Sequence, residues 1–168
     1  MMRQVEHHEH VPTPHHGREI VLVLAGLKDP LNVGHAFRIG SSLGVSHIYC
    51  CDDTPIPPGS KINRTARGAQ HQVAWSGGET LEVVSSLRKN NFYVLAVEYA
   101  TESTDIRQIV ASIDEGQSVA LVLGNEAHGM SNELMAACDG VGHLPLYGAI
   151  SSLNVATALA MALWEVVR

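Results

Sequence analysis

The sequence predicts an α/β domain built on a parallel sheet, and three observations point there. Apolar strand-like runs alternate with helical patterns from Glu19 onward; HIYC, NFYVLAV and SVALVLG are apolar almost throughout, as in strands covered on both faces; and 168 residues fit one compact domain.

Taken in order, residues 1–18 hold five histidines, two prolines and no apolar periodicity, so a flexible tail is expected, with the folded domain spanning 19–168. His7, His8 and His10 suit adventitious metal capture, but nothing fixes a ligand geometry, and no metal site is expected. IVLVLA is the first strand. Pro30 and Asn32 then break regular structure, and a helix is expected from about Gly34 to Leu43. HIYC is the second strand, followed by CDDTPIPPGS, read as the one substantial irregular loop. Helices near Lys61 to Gly68 and Glu79 to Lys89 precede the strands in NFYVLAV and SVALVLG. A helix near Asn132 to Ala137 follows, then a strand closed by Pro145. The final helix is expected from about Ser152, with Ser151 or Ser152 as its N-cap. Val155, Leu159, Leu163 and Val166 form its apolar stripe, and alanines at 156, 158, 160 and 162 keep much of the rest small, which favours close packing and a subunit interface.

Composition narrows the function. A net charge of −6 argues against a generally basic nucleic-acid binder, although Lys61, Arg64 and Arg67 recur at helical spacing as one local positive stripe for a phosphate backbone. No apolar run approaches the roughly 20 residues that span a bilayer, and the polar start is unlike a secretory signal, so a cytoplasmic protein is expected. Cys50, Cys51 and Cys138 suit neither a disulfide framework nor a metal site and are read as reduced packing residues.

Three loops carry the chemistry. DPLNVGHAFRIGSSLGV offers Asn32 and Arg38 among glycines at 34, 40 and 44 that permit close backbone approach. LVLGNEAHGMS spaces Gly124 and Gly129 like a phosphate-binding loop, but Met130 stands where that loop needs lysine, which excludes a nucleoside triphosphatase. Glu126 at its tip would repel a polyphosphate; it suits a neutral or cationic ligand, or anchors another loop. GHLPLYGAISSLNVATALA places Ser152 and Asn154 at a helix entrance. Ligands of an open parallel sheet gather beyond the strand C-termini, where all three loops fall.

Together, NVGHAFRIGSSLGV, LVLGNEAHGMS and LPLYGAISSLNVATALAMALWEVVR resemble, in order and spacing, the three motifs of the SpoU/TrmH branch of the SPOUT methyltransferases, over about Glu19 to Arg168. RTARGAQHQVAW resembles the segment that follows the second strand in these enzymes. The resemblance implies a parallel α/β domain with a C-terminal deep trefoil knot, against the general rule that chains do not thread loops. It further implies an obligate homodimer and methyl transfer from S-adenosylmethionine to a ribose 2′-hydroxyl of tRNA or rRNA, leaving S-adenosylhomocysteine. Donor contacts are implied for Val97, Glu98, Gly124, Leu144, Leu146, Ser152 and Leu153. Polar functional positions are implied for Asn32, Arg38, Glu126, Ser152 and Asn154. RNA recognition is expected on Lys61, Arg64 and Arg67 or through an accessory protein; His35 and His128 are read as solvent-exposed. The competing readings are a non-catalytic RNA-binding scaffold of the same fold and an RNA base methyltransferase.

Overall fold

The computed structural model describes residues 15–150 and 152–168, so His7, His8, His10 and Ser151 lie outside the described residues. Among the described residues, seven parallel strands form one sheet: β1 (Ile20–Ala25), β2 (His47–Cys51), β3 (Ala74–Gly78), β4 (Tyr93–Val97), β5 (Thr104–Asp105), β6 (Val119–Leu123) and β7 (Gly140–His143), in the order β3-β2-β1-β6-β4-β7-β5. The apolar runs IVLVLA and VALVL lie side by side at the centre, Leu22 opposite Leu121, and every residue of both is buried.

Alternation along β1 divides the core. Ile20, Leu22 and Leu24 face α1 (Pro30–Ser42), α2 (Ser60–Ala66), α4 (Ile106–Ser112) and α6 (Val155–Val167), while Val21, Val23 and Ala25 face α3 (Thr80–Lys89) and α5 (Asn132–Ala137). Both sheet faces are therefore covered, which is why these strands carry no polar alternation.

Several boundaries and elements differ from expectation. Pro30 does not break the chain but starts α1: Asp29 caps it by accepting from the Leu31 N–H at 2.9 Å, and proline suits the first helical turn, whose N–H has no partner to lose. The last helix starts at Val155 rather than near Ser152, because Asn154 is its cap and accepts from the Ala156 and Thr157 N–H groups. The edge strands β3 and β5 and helix α4 had no expected counterpart. CDDTPIPPGS is joined by further irregular loops after β4 and β7.

Gly34 fixes how α1 meets α2. A Cβ there would run into the Thr65 hydroxyl and the Ile62 carbonyl. The two helices cross at backbone contact, with Thr65 Oγ1 donating to the Leu31 carbonyl at 3.0 Å. The stripe Leu159, Leu163 and Val166 of α6 is buried in this chain's own core, with Val155 half-buried. The helix's other side leaves Met161 43% and Trp164 57% exposed.

Candidate functional site

Beyond the C-terminal ends of β4, β6 and β7 lies a cavity of about 580 Å³. Val97 and Glu98 border it from the end of β4, Leu123 and Gly124 from the end of β6, and His143, Leu144 and Leu146 from the end of β7. Ser152, Leu153 and Asn154 close it from the loop before α6, and Lys28, Asp29 and Asn32 from the start of α1. Every residue expected to touch a donor lines it, as do Asn32, Glu126, Ser152 and Asn154 among the polar candidates.

A chain of side-chain hydrogen bonds joins the three loops. Asn154 spends its carbonyl oxygen on the N-terminus of α6, so its amide donates, to Asn32 Oδ1 at 3.0 Å. The Asn32 amide in turn donates to Glu126 Oε1 at 3.0 Å. The Glu126 carboxylate also accepts from the backbone N–H groups of Lys28 at 2.8 Å and Asp29 at 3.1 Å. An ionised carboxylate only accepts, so the direction of the whole chain is fixed at both ends. Burial pushes the Glu126 carboxyl up, but the Asn32 amide and the backbone N–H groups outweigh it and hold the group below the usual range. Its anchoring role is the one seen here: Glu126 ties the second loop to the head of α1.

The second loop is held twice more. Asn125 donates to the Gly26 carbonyl at 2.8 Å and accepts from Ala127 and His128 N–H. Glu98 accepts from Met130 N–H and from Tyr99 N–H, each at 3.0 Å. At Gly129, with φ +64°, a Cβ would meet that Glu98 carboxylate at 2.6 Å, so glycine satisfies both the turn and the contact.

Arg38 stands apart. It is exposed on α1 and does not line the cavity. Lys61, Arg64 and Arg67 are also exposed and outside it, and they are not one helical stripe: α2 ends at Ala66, and Arg67 is its left-handed cap at φ 55°. His35 and His128 are exposed. Burial pushes the Cys50, Cys51 and Cys138 thiols up to about 12, as suits packing residues rather than nucleophiles.

Lys28, Asp29, Tyr99, Asn125 and His143 belong to the site and were missed. Asn125 follows Gly124 directly, and Asp29 precedes a proline as a cap should, so both had a local signal. Lys28, Tyr99 and His143 carried no signal of their own, although Tyr99 follows Glu98 and His143 precedes Leu144 in the chain.

Residues 19–164 match the SpoU rRNA Methylase family. The chain is 30% identical over 153 residues to the 23S rRNA (guanosine-2′-O-)-methyltransferase RlmB of Xanthomonas axonopodis pv. citri, a match covering 90% of this chain and 59% of that protein. It is similar to the crystal structure of an AdoMet-bound rRNA methyltransferase from Sinorhizobium meliloti, at TM-score 0.80 and 27% identity, over 88% of this chain and 55% of that one. It shares its fold with a TrmH/SpoU tRNA modifying enzyme from A. aeolicus, at TM-score 0.77 and 22% identity, over 89% of this chain and 75% of that one. The chain thus spans somewhat under two thirds of the first two proteins.

Proposed function

The chain belongs to the SpoU rRNA Methylase family, and from that premise and the cavity we propose that residues 19–168 transfer a methyl group from S-adenosylmethionine to a ribose 2′-hydroxyl of tRNA or rRNA. The observation that carries this reading is the convergence of all three loops on one cavity, tied together by Asn154, Asn32 and Glu126. The deep knot implied by the motif resemblance is part of the proposal.

The residues present fit this donor. A cavity of about 580 Å³ is of the size that holds a cofactor-sized molecule. Val97, Leu123, Leu144, Leu146 and Leu153 offer apolar walls for an adenine ring, and the Glu98 and Glu126 carboxylates favour a cation. When bound, S-adenosylmethionine supplies an electrophilic methyl group on a positively charged sulfur.

Arg38 does not act as a base, because a guanidinium stays protonated at any pH the protein meets. It holds the phosphate beside the target ribose and stabilises the negative charge that develops on the 2′-oxygen. Ser152 and Asn154 add polar groups to the cavity lining, against which the hydroxyl arrives.

Because Arg38 is exposed and outside its own cavity, we assign it to the site of a second copy, which makes the working unit a homodimer. The exposed apolar pair Met161 and Trp164 on α6, with which α1 packs, is the surface offered to that copy. Lys61, Arg64 and Arg67 supply phosphate contacts at its edge, and an accessory protein is needed only if the isolated dimer fails to bind RNA. No helix of the described residues is long and apolar enough to cross a membrane, and we place the protein in the cytoplasm with its RNA.

Calorimetry with S-adenosylmethionine tests the donor, and mass spectrometry of RNA from cells with and without the protein tests the reaction. Loss of one 2′-O-methyl nucleotide is expected. Loss of a base methylation alone would overturn the ribose assignment, and an unchanged spectrum would favour a scaffold.

A further inference from the structure

Resting on the donor reading of the cavity, we propose that His143 is a donor-recognition residue whose Nε2 stands as a bare hydrogen-bond acceptor for an N–H or O–H group of the methyl donor. His143 ends β7 and is one of the residues lining the cavity. The assignment follows from counting hydrogens at Ser103.

A serine hydroxyl has one hydrogen to give and two lone pairs. The Ser103 hydroxyl gives its hydrogen to the Ala100 carbonyl at 2.6 Å and accepts from the Ala100 N–H at 3.1 Å. Nδ1 of His143 lies 3.0 Å from the same oxygen. With the hydroxyl hydrogen committed, that contact is satisfied only if Nδ1 carries a hydrogen and donates it. In a neutral imidazole the other nitrogen is then an acceptor. Nε2 has no hydrogen-bond partner among the described residues, and it belongs to a residue that lines the cavity.

The ring is also held in place. Tyr99 packs edge-on against it, with centroids 5.4 Å apart and planes at 79°, and Tyr99 lines the same cavity. Asp105, the register partner of His143 across the β5–β7 pair, is the charged group facing it; its carboxylate is engaged by Arg107, which donates from Nε at 3.0 and 3.1 Å, and so does not compete for Nε2. A fixed lone pair accepts from a hydrogen-bond donor and offers nothing to an acceptor. S-adenosylmethionine carries such donors on its adenine 6-amino group, its α-ammonium and its two ribose hydroxyls.

The test uses S-adenosylhomocysteine and 5′-methylthioadenosine, which keeps the adenine but lacks the ammonium, with wild type, His143→Leu and Ser103→Ala. His143→Leu is expected to bind S-adenosylhomocysteine about tenfold more weakly, and Ser103→Ala a few-fold more weakly. If the tenfold loss persists with 5′-methylthioadenosine, the partner is on the adenosine, its 6-amino group or a ribose hydroxyl; if it disappears there, the ammonium is the partner. Equal S-adenosylhomocysteine binding by wild type and His143→Leu overturns the proposal and leaves the donor reading standing. No binding by the wild type overturns both. Long-range 15N–1H spectra of the unliganded protein, with His143→Leu identifying the signal, provide a readout that does not depend on the variant's stability. An Nδ1–H tautomer is expected, and an Nε2–H tautomer overturns the proposal.

Discussion

Asn154, at the entrance to α6, donates its amide to Asn32 on α1 at 3.0 Å, across 122 residues of chain. The two ends of the folded domain meet there, beside the cavity. Asn154 serves two structures at once, its oxygen capping the helix and its nitrogen holding α1.

Replacement of Asn154 separates those roles. Asn154→Ala loses both and is expected to cost about 1–3 kcal/mol, a fall in Tm of roughly 3–9 °C. Asn154→Asp keeps the capping oxygen but sets an acceptor against Asn32 Oδ1. It should retain most of the helix yet bind S-adenosylmethionine more weakly. Donor affinity equal to wild type in Asn154→Asp would show that the Asn154–Asn32 bond does not shape the cavity.

Glu126 gives the site an acid limit. Its carboxyl is held below the usual range in the folded protein, so its contribution is fully present above the unfolded value, about 4.3, and is lost as pH falls through the lower folded value. Glu126→Gln puts an NH₂ where the carboxylate meets donors from Lys28, Asp29 and Asn32. The variant should melt below wild type at pH 7, and the gap should narrow as pH falls below about 4. A gap that is constant with pH would mean that the charge is not what anchors the loop.

Much of this was legible in the amino acids, and the rest was hidden for definite reasons. Short continuous apolar runs rich in valine, such as IVLVLA and VALVL, read as strands buried on both faces, and parallel strands place the loops after Gly124 and around Pro145 at one end of the sheet. Pro30 misled because proline reads as a breaker unless Asp29 is recognised as its cap. Helix α4 was readable from Asp105 as cap and Ile106, Ile109 and Ile113 at helical spacing, but it is seven residues long. The strand AWSGG, mostly exposed at the sheet edge, carries almost no apolar signal. The contact between Tyr99 and His143 joins the ends of β4 and β7, neighbours in the sheet but distant in sequence, which no local pattern encodes.

Gly34→Ala tests the helix crossing. In an exposed helix interior, alanine in place of glycine gains up to about 1 kcal/mol. Here the new Cβ meets the Ile62 carbonyl and the Thr65 hydroxyl, and backbone cannot rotate away. The balance should reverse to a loss of about 1–3 kcal/mol, read by denaturant titration. A stabilised variant would mean that α1 and α2 separate at little cost.

Arg38 should divide binding from transfer. With its side chain outside the cavity of its own chain, Arg38→Ala is expected to leave S-adenosylmethionine affinity unchanged while slowing methyl transfer by about 10²–10³-fold. Arg38→Lys keeps charge without the two-pronged fork and should recover little. Mixing Arg38→Ala chains with Gly124→Val chains, whose new side chain collides with Gly129 and Met130 and so disrupts the second loop of the cavity, should restore activity if the arginine crosses to a second copy. A mixture as inactive as either parent would place Arg38 in its own chain's site.

Lys61, Arg64 and Arg67 should act on RNA alone. All three are exposed on or just after α2, outside the cavity, in a chain whose net charge is −6, so any phosphate attraction must be local. Each cation that neutralises a phosphate releases a counterion, and changing it to glutamine should flatten the plot of log affinity against log salt by about 0.7–0.9. The triple variant should therefore weaken RNA binding most at low salt, with S-adenosylmethionine affinity and Tm close to wild type. Arg67 offers an internal comparison: because it caps α2 in the left-handed region, Arg67→Gly relieves backbone strain while removing the charge. Arg67→Gly should thus lower RNA affinity and raise Tm together. A triple variant with an unchanged salt slope would move the RNA path to another face.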